Sequence, residues 1–359
     1  MNHKIIDVAL AVIKDKQGRY LVSQRPASTD YADFWEFPGG KREAGEDRLQ
    51  VLKRECAEEL GINVEHARPL FCWEYEYKVN AEGREGALGC KVNAEGRHEC
   101  RKPEGISVEG VPLKGVLKRT LGCNDRCVRL DAWLIDGYSG EAHGAEGQQV
   151  RWLYPDEFKD YTFLAANKVL MKVLALPECC VITPDVEIDA MFYSKIESLK
   201  SSNYTLLQFR AKNLSDAEYK KEALELVKFA AERGMTIMLN ADAECVNAIE
   251  GAGLHLTSRR LLGLSSRPIV EGRWLSASCH NSEELAHAER IGVDFVFLSP
   301  VLETPSHPGA EILGWEKLES LVTKANIPVY ALGGMKKADV GQAQQVGCQG
   351  VAGISEFWD

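Results

Sequence analysis

Three glutamates, Glu55, Glu58 and Glu59, are spaced so that a helix would place their carboxylates on one face. Read as a helix from about Asp47 to Leu60, the segment turns its apolar residues to the opposite side. Three neighbouring carboxylates repel one another, and an acidic helix surface in water is the simple interpretation. A hard divalent cation, Mg²⁺ with Mn²⁺ as the alternative, would relieve that repulsion through oxygen ligands and would neutralise a polyphosphate.

The residues around this helix favour the metal interpretation. The loop Phe37-Pro38-Gly39-Gly40 precedes it, and glycines there let main-chain carbonyls approach a ligand closely. Gly61 is a helix stop at the other end. The spacing therefore predicts a loop, a helix and a second loop that together hold a cation.

Strands must position this loop and helix. Alternating apolar residues in Ile5 to Ile13 and in Tyr20 to Ser23 predict an opening β-hairpin. Leu70 to Lys78 reads as another strand, and Cys127 to Ile135 as its partner. A helix from Lys168 to Leu176 completes this part of the chain.

The segment between the two paired strands is unusual, because KVNAEGR occurs twice within it. Such a polar duplication cannot bury much surface, so Val79 to about Arg126 is predicted to be a largely disordered insertion. Cys90, Cys100, Cys123 and Cys127 leave a zinc site as the alternative to free thiols there. Paired CxxC knuckles are missing, which favours free thiols.

From Cys179 onward the pattern changes to apolar runs separated by helix-sized spacers. Eight such runs predict an α/β fold of the (β/α)8 TIM-barrel type, with short helices because about 180 residues is few for that fold. The runs are Cys180–Thr183, Leu206–Arg210, Thr236–Asn240, Gly253–Leu256, Trp274–Cys279, Phe295–Pro300, Pro328–Gly334 and Gly350–Ser355. The predicted domains are residues 1–176 and 179–359, with the boundary near Leu176-Pro177.

Composition limits the partners. The formal net charge is −10, which argues against a surface for duplex nucleic acid but not against a metal-bound phosphate substrate. Asp7 and Lys14 interrupt the first apolar stretch, and no run is long enough for a membrane span, so we expect a cytoplasmic protein without a membrane partner. The 11 cysteines are scattered, which is typical of reduced thiols.

The segment from Gly40 to Ile62 resembles the Nudix box, Gx5Ex7REUxEExGU, at every fixed position. The resemblance implies an α/β/α sandwich with a mixed sheet and metal-dependent hydrolysis of a nucleoside diphosphate linked to another group. It implies that Glu55, Glu58 and Glu59 hold metal together with a main-chain carbonyl at Gly39 or Gly40. The remaining roles that it implies are Glu55 as the base, Arg54 and Glu46 as an organising ion pair, and Glu146 as a further metal ligand.

Trp35 to Lys41 resembles the LEFPGGK segment of the MutT branch of this family, which hydrolyses 8-oxo-dGTP to 8-oxo-dGMP and diphosphate. This likeness implies that Arg25, Glu36, Phe37 and Asn167 contact the nucleotide. Asn167 would read the oxidised purine, because an amide donates and accepts at once. Two alternatives stay open: Asn167 could cap the helix that follows, and Phe37 could belong to the core.

The C-terminal region resembles thiamine phosphate synthases and TenI-type tautomerases. The match rests on segments at the ends of the predicted strands, including Leu207 to Lys212, Ser276 to His280 and Ser299 to Thr304. It implies a phosphate site at glycines and a serine after strands seven and eight, and further ligand contacts before them. The expected phosphate residues are Gly333, Gly334 and Ser355, and the other ligand candidates are Arg210, Lys212 and His280.

This barrel departs from the synthases where those enzymes hold magnesium pyrophosphate. Asn240-Ala241 and Arg260 stand where two aspartates are expected, and His307 stands where a lysine is expected. We therefore expect a binding or structural barrel rather than a synthase, with a thiamine-related phosphate ligand or tautomerase role as the alternative. For the whole chain, the alternative to 8-oxo-dGTP hydrolysis is a Nudix hydrolase of a thiamine-linked diphosphate, or one regulated by a sensor barrel.

Overall fold

The computed structural model describes residues 5–26, 29, 31–77, 126–304, 309 and 311–358. Its N-terminal part contains seven strands and two α-helices among those residues. They are β1 (Ile6–Ile13), β2 (Tyr20–Gln24), β3 (Trp35–Glu36), β4 (Gly39–Lys41), α1 (Arg48–Leu60), β5 (Asn63–Tyr77), β6 (Arg126–Ser139), β7 (Val150–Leu153) and α2 (Lys168–Ala175).

These strands form two sheets. The first has the order β4-β1-β6-β5 and is mixed, because β1 runs parallel to β6 while the other pairs are antiparallel. The second is the antiparallel sheet β3-β2-β7. The predicted opening hairpin is wrong: β1 and β2 lie in different sheets, and the described residues show a single bridge between them, Lys14 to Tyr20. Each strand has longer-range partners that the local pattern does not reveal.

Strand β1 contributes to two hydrophobic cores. Leu10 and Val12 pack on the side that contains α2, whereas Ala11 and Ile13 pack on the side that contains α1. Alternate residues of a strand point to opposite faces, so both faces of the mixed sheet are covered by helices. The predicted α/β/α sandwich is confirmed.

Helix α1 begins and ends as its sequence indicates. The Asp47 side chain accepts from the Gln50 N–H, and the Gln50 side chain accepts from the Asp47 N–H, which makes a capping box. Gly61 follows the helix with φ 66°, a left-handed conformation that glycine adopts without a Cβ penalty. Leu52, Cys56 and Leu60 are buried beneath the helix, which leaves its acidic face outward.

Strands β5 and β6 pair as predicted, but both are longer than expected: the pairing runs from Asn63 opposite Ser139 to Tyr77 opposite Arg126. The predicted disordered insertion between them, and Cys90, Cys100 and Cys123 within it, lie outside the described residues. Cys127, at the edge, is a free half-buried thiol.

The C-terminal part is a closed barrel of eight parallel strands, and the predicted TIM-type architecture is confirmed. The strands are β8 (Cys179–Ile182), β9 (Leu206–Phe209), β10 (Thr236–Leu239), β11 (Gly253–Leu256), β12 (Leu275–Cys279), β13 (Phe295–Leu298), β14 (Val329–Leu332) and β15 (Gly350–Gly353). The helices are α3 (Ala190–Ser201), α4 (Asp216–Ala231), α5 (Ala243–Asn247), α6 (Ser258–Leu262), α7 (Ser282–Arg290), α8 (Gly314–Val322), α9 (Val340–Gln345) and α10 (Ser355–Trp358). Helices α5 and α6 have 5 residues each and are short as expected, whereas α3 and α4 have 12 and 16 residues.

The barrel interior holds its own core, in which Phe295, Phe297 and Tyr330 contact one another. Leu176, which follows α2, also belongs to this core. The N-terminal part therefore supplies a side chain to the barrel. Within the described part of the chain, no helix combines the length and apolarity needed to cross a membrane.

Candidate functional site

Helix α1 carries Glu55, Glu58 and Glu59 on the side away from Leu52, Cys56 and Leu60, next to the loop that contains β4. Arg54 donates to Glu55 over 2.7 Å and to Glu58 over 3.2 Å. The Glu58 side chain is exposed, whereas that of Glu55 is largely covered. Burial raises the pKa of Glu55 above its usual value, and the nearby Arg54 guanidinium opposes that shift.

Arg54 also ties the loop before α1 to the helix. Its Nε and Nη2 donate to the two carboxylate oxygens of Glu46, over 2.7 and 3.1 Å, and Nη2 also donates to the Lys41 carbonyl. These hydrogen bonds lower the pKa of Glu46 to about 2. A bidentate ion pair of this kind fixes the relative orientation of the two side chains as well as their distance. Glu46 and Arg54 therefore hold the loop against the helix.

Glu59 is the most buried carboxylate of the helix face. Its Oε2 accepts from the Gly39 N–H over 3.0 Å, which joins α1 to β4. The pKa of Glu59 is raised to about 8, mainly by burial; the Gly39 hydrogen bond opposes this shift, and the negative charges of Glu36, Glu55 and Glu146 contribute to it. A bound cation would stabilise the ionised form that this environment disfavours.

Gly39 and Gly40 are required where the loop meets β1 and α1. Gly39 has φ 146°, and a Cβ there would stand 2.1 Å from the Ala9 carbonyl oxygen. At Gly40 a Cβ would overlap the Glu55 carboxylate. The glycines therefore let the backbone and the carboxylates share a narrow space, which is the arrangement expected where a main-chain carbonyl joins carboxylates around a cation.

Glu146 lies on a loop that is fastened to the end of α1. The Ala145 N–H and the Gln148 side-chain amide both donate to the Glu59 carbonyl, over 2.9 and 2.8 Å. Glu146 is exposed, and its charge contributes to the raised pKa of Glu59. The sequence indicated Glu146 but not Gln148, whose amide satisfies a helix carbonyl that has no partner within the helix.

These residues fit a divalent cation in their chemistry. Among the described residues, no three His, Cys, Asp or Glu side chains already converge in a metal-binding arrangement, and Glu55 and Glu58 are turned toward Arg54. The available ligands are carboxylate oxygens beside a glycine loop, and hard cations prefer oxygen ligands. Burial and the neighbouring carboxylates raise the pKa of Glu59, and a cation beside it would compensate its negative charge.

Two of the expected nucleotide contacts, Arg25 and Glu36, form an ion pair with each other. Arg25 Nη1 lies 3.0 and 2.8 Å from the two Glu36 oxygens. Both side chains are partly covered, and burial raises the pKa of Glu36 against the effect of Arg25. Glu36 directly precedes Phe37 and the glycine loop, so this ion pair lies next to the carboxylate site formed by Glu55, Glu58 and Glu59.

Asn167 is buried, with 2% of its surface exposed. Its Nδ2 has no hydrogen-bond partner among the described residues. The segment before it runs beside β3, because Trp35 donates to the Thr162 carbonyl and Leu164 donates to the Trp35 carbonyl. Asn167 does precede α2, but its backbone is helical and its side chain makes no capping bond, so the capping alternative is wrong.

The assignment of Phe37 as a nucleotide contact needs correction. Its ring is 1% exposed and packs against Phe158 and Phe163 in the core on the α2 side of the sheet. The core alternative therefore describes the Phe37 ring, because no face of it is left for a base to stack on.

The barrel candidates lie at the carboxyl ends of the strands. Asp185 joins two of them, since it accepts from the Arg210 side chain over 3.0 Å and from the Lys212 N–H over 2.8 Å. His280 Nδ1 lies 2.6 Å from the Ser299 carbonyl oxygen.

The expected phosphate residues are at the same end of the barrel. Gly333 and Gly334 have φ 96° and 68°, and they allow the segment after β13 to approach them closely. Ser355 begins α10. The structure therefore places these three residues after β14 and β15, where TIM barrels commonly bind phosphate.

Two polar side chains inside the barrel were not predicted as site residues. His255 is hydrogen-bonded through both ring nitrogens to the Ser276 and Ser278 hydroxyls, and burial lowers its pKa to about 3. Gln208 is buried, and its Oε1 has no partner among the described residues. A polar residue inside an otherwise apolar strand was the available signal for each.

Arg260 occupies the place where an acidic residue was expected, and it donates to the Asn240 side chain over 3.2 Å. A guanidinium at this position adds positive charge to the mouth of the barrel. His307 lies outside the described residues.

Fold and site together define a chain that joins a Nudix hydrolase fold to a TIM-type barrel. Residues 4–101 match the NUDIX domain, and residues 179–357 match the family described as Thiamine monophosphate synthase. The chain is 30% identical over 184 residues to the putative thiamine-phosphate synthase 2 of Aquifex aeolicus, covering 51% of this chain and 99% of that protein. It is 28% identical over 165 residues to the thiamine-phosphate synthase of Fusobacterium nucleatum, which covers 46% of this chain and 80% of that protein. The chain therefore belongs to the thiamine monophosphate synthase family through its barrel and carries a NUDIX domain ahead of it.

Solved structures include likenesses to both parts. One is a MutT structure, from a study of the Aliivibrio salmonicida and Vibrio cholerae proteins, and it is 24% identical to this chain. The match covers 48% of this chain and 97% of that chain, with a TM-score of 0.30. Another is thiamine phosphate pyrophosphorylase from Pyrococcus furiosus, which is 22% identical to this chain. The match covers 54% of this chain and 88% of that chain, with a TM-score of 0.42.

The NUDIX domain supports a pyrophosphohydrolase activity, and Nudix hydrolases generally use divalent metal ions. The barrel links the chain to thiamine metabolism. Both domains imply small-molecule ligands that contain phosphate.

Proposed function

We propose that this protein is a metal-dependent pyrophosphohydrolase of oxidised purine nucleoside triphosphates, which converts 8-oxo-dGTP to 8-oxo-dGMP and diphosphate and so cleanses the precursors of DNA. Mg²⁺ is the expected cation, with Mn²⁺ as the alternative. The observation that carries the substrate assignment concerns Asn167 Nδ2, which is buried without a hydrogen-bond partner among the described residues and follows the segment that runs beside β3.

The carboxylates of Glu55, Glu58, Glu59 and Glu146, with a carbonyl of Gly39 or Gly40, are the groups proposed to hold the cation. When bound, the cation neutralises the polyphosphate and polarises the attacking water. Glu55 takes the proton of that water, since its raised pKa makes it a stronger base than an exposed glutamate. The pair of Arg54 with Glu46 keeps the loop and the helix at the spacing this requires.

The buried Asn167 Nδ2 can donate a hydrogen bond to a ligand, because it has no acceptor among the described residues. Leaving a buried donor unpaired costs about 1–3 kcal/mol, which an incoming ligand can recover. The 6-oxo group of an oxidised guanine is such an acceptor, and the Asn167 side-chain oxygen can receive the ring N–H that oxidation creates. Ordinary guanine has the same 6-oxo group but lacks that ring N–H, so the amide can discriminate between the two.

The test compares two substrates in Asn167→Ala and in Asn167→Leu, which keeps the volume of the side chain. We expect kcat/KM for 8-oxo-dGTP to fall roughly ten- to hundredfold, and the value for dGTP to fall much less. Asn63→Ala, an exposed amide at the start of β5, is the matched control and should leave both unchanged. Equal losses on both substrates, or a wild-type protein without preference for 8-oxo-dGTP, would contradict the substrate assignment.

A second candidate function follows from the barrel family. The Nudix site would then act on a diphosphate of thiamine metabolism, while the barrel binds a related phosphate ligand at Gly333, Gly334 and Ser355 or senses it. Arg260 supports binding rather than synthesis, because it places a guanidinium beside Asn240. Assaying the purified protein against oxidised and ordinary nucleoside triphosphates and thiamine phosphates, with Mg²⁺ and with Mn²⁺, separates the two candidates.

A further inference from the structure

Helix α2 connects the proposed nucleotide site to the barrel. Asn167 directly precedes its first residue, and Leu176, in the interior core of the barrel, directly follows its last. Eight helical residues span only about 12 Å, so contacts at the barrel end of α2 lie within about two helical turns of Asn167.

Gln349 of the barrel caps this helix. Its Nε2 donates to the Val173 and Leu176 carbonyls, over 3.1 and 2.9 Å. Carbonyls at the end of a helix have no partner within the helix, and here a side chain of the barrel supplies one. Gln349 is itself fixed, because its main-chain N–H donates to the Val329 carbonyl at the start of β14.

Asp294 holds α2 from its side. Its Oδ1 pairs with Lys172 Nζ over 2.5 Å. Its Oδ2 accepts from the Leu275 N–H and from Arg267, over 2.8 and 2.9 Å, so the carboxylate is anchored in the barrel before it reaches Lys172. Asp294 is 5% exposed, and its bonds to Leu275 and Arg267 fix the position of the carboxylate that the half-exposed Lys172 reaches.

One side of α2, and the segment before its first residue, are packed into the Nudix core. Leu170 and Val173 are buried in the cluster that also contains Phe37 and Ala166. Trp73 Nε1 donates to the Ala166 carbonyl over 3.1 Å, next to Asn167. Asn167 thus lies next to a helix that contacts the Nudix core on one side and the barrel residues Asp294 and Gln349 on the other.

We propose that Asp294 and Gln349 of the barrel are positioning residues that hold α2 so that Asn167 is aimed at the purine. This inference rests on the proposed function of Asn167. The barrel then contributes to nucleotide discrimination without contacting the nucleotide, and the two domains form one functional unit.

The test uses the full chain with Lys172→Met and Gln349→Ala, singly and together. Lys172→Met keeps the packing of the side-chain stem while removing the charge that Asp294 binds. We expect the ratio of kcat/KM for 8-oxo-dGTP to that for dGTP to fall roughly two- to thirtyfold in the double variant. The kcat for dGTP should stay within about twofold, because the carboxylate site is untouched. Lys228→Met and Gln345→Ala, exposed on α4 and α9, are the matched controls.

A double-mutant cycle separates positioning from general destabilisation. If the barrel residues act through Asn167, their effect on the substrate ratio disappears in the Asn167→Leu background. A loss of the same size in that background would overturn the inference, as would an unchanged ratio in the double variant.

A second measurement does not depend on the substrate. Hydrogen exchange of the amides in 168–176 should become faster in the double variant, while exchange in α1 stays unchanged. If the wild-type protein shows no preference for 8-oxo-dGTP, the proposed function fails, and faster exchange would still show that the barrel holds the helix. Unchanged exchange would overturn the inference whatever the substrate.

Discussion

The carboxylate of Glu55 lies against the backbone of Gly40, so that a Cβ atom on residue 40 would stand 1.9 Å from Glu55 Oε1. Gly40→Ala must therefore displace the carboxylate that we propose as the base. We expect kcat to fall roughly tenfold to a hundredfold, since misplacing a catalytic group by about 1 Å can cost that much. Steady-state kinetics with saturating Mg²⁺ provide the measurement. Gly341→Ala, where a Cβ would meet no atom, is the control, and wild-type kcat in Gly40→Ala would refute the expected role of this contact.

Glu59→Gln should abolish turnover while leaving the fold intact. The substitution keeps the shape of the side chain but removes one negative ligand, so we expect a loss of at least about a hundredfold in activity. Thermal unfolding should show no loss of stability, because a neutral amide places no charge at this position, where burial raises the pKa of the Glu59 carboxyl. Glu65→Gln, at an exposed position on β5, is the control. Half the wild-type rate in Glu59→Gln would remove this residue from the proposed ligand set.

Metal binding should release a proton from Glu59. Burial raises the pKa of this carboxyl from 4.5 to about 8, so it holds its proton at pH 7 until a dication displaces it. We expect close to one proton released per ion between about pH 5 and 7, and progressively less as the pH rises past about 8. Metal affinity should accordingly rise with pH up to about 8 and then level off. Titration calorimetry in two buffers of different ionisation enthalpy counts the protons, and equal release from Glu59→Gln would assign them elsewhere.

Deleting residues 80–122 should leave hydrolysis nearly unchanged. Strands β5 and β6 already pair at Tyr77 and Arg126, so Lys78, Val79 and 123–125 can close the connection as a short hairpin loop. We expect kcat/KM within about twofold of the full chain, since connecting loops tolerate deletions. Circular dichroism and kinetics of the shortened protein check this. An unfolded product would show that the removed segment stabilises the fold.

The sequence alone determined those features that depend on local periodicity. Glutamates three and four residues apart share a helix face whatever surrounds them, and the capping residues Asp47 and Gly61 mark where α1 begins and ends. Eight apolar runs with helix-sized spacers likewise required a buried parallel sheet, and the family resemblance of each half followed from residues in fixed register.

The tertiary structure decided what depends on contacts between distant residues. Strands β1 and β2 are adjacent in sequence, yet they lie in different sheets because each finds longer-range partners. Asn167 has the sequence of a helix cap, but its backbone is helical, its side chain makes no capping bond, and its Nδ2 is buried without a partner among the residues that the structure describes. Leu176 and Gln349 are separated by most of the barrel sequence, and only closure of the barrel brings them together at the end of α2. Local spacing cannot encode such contacts, because they form only when separate elements bury their apolar faces against one another.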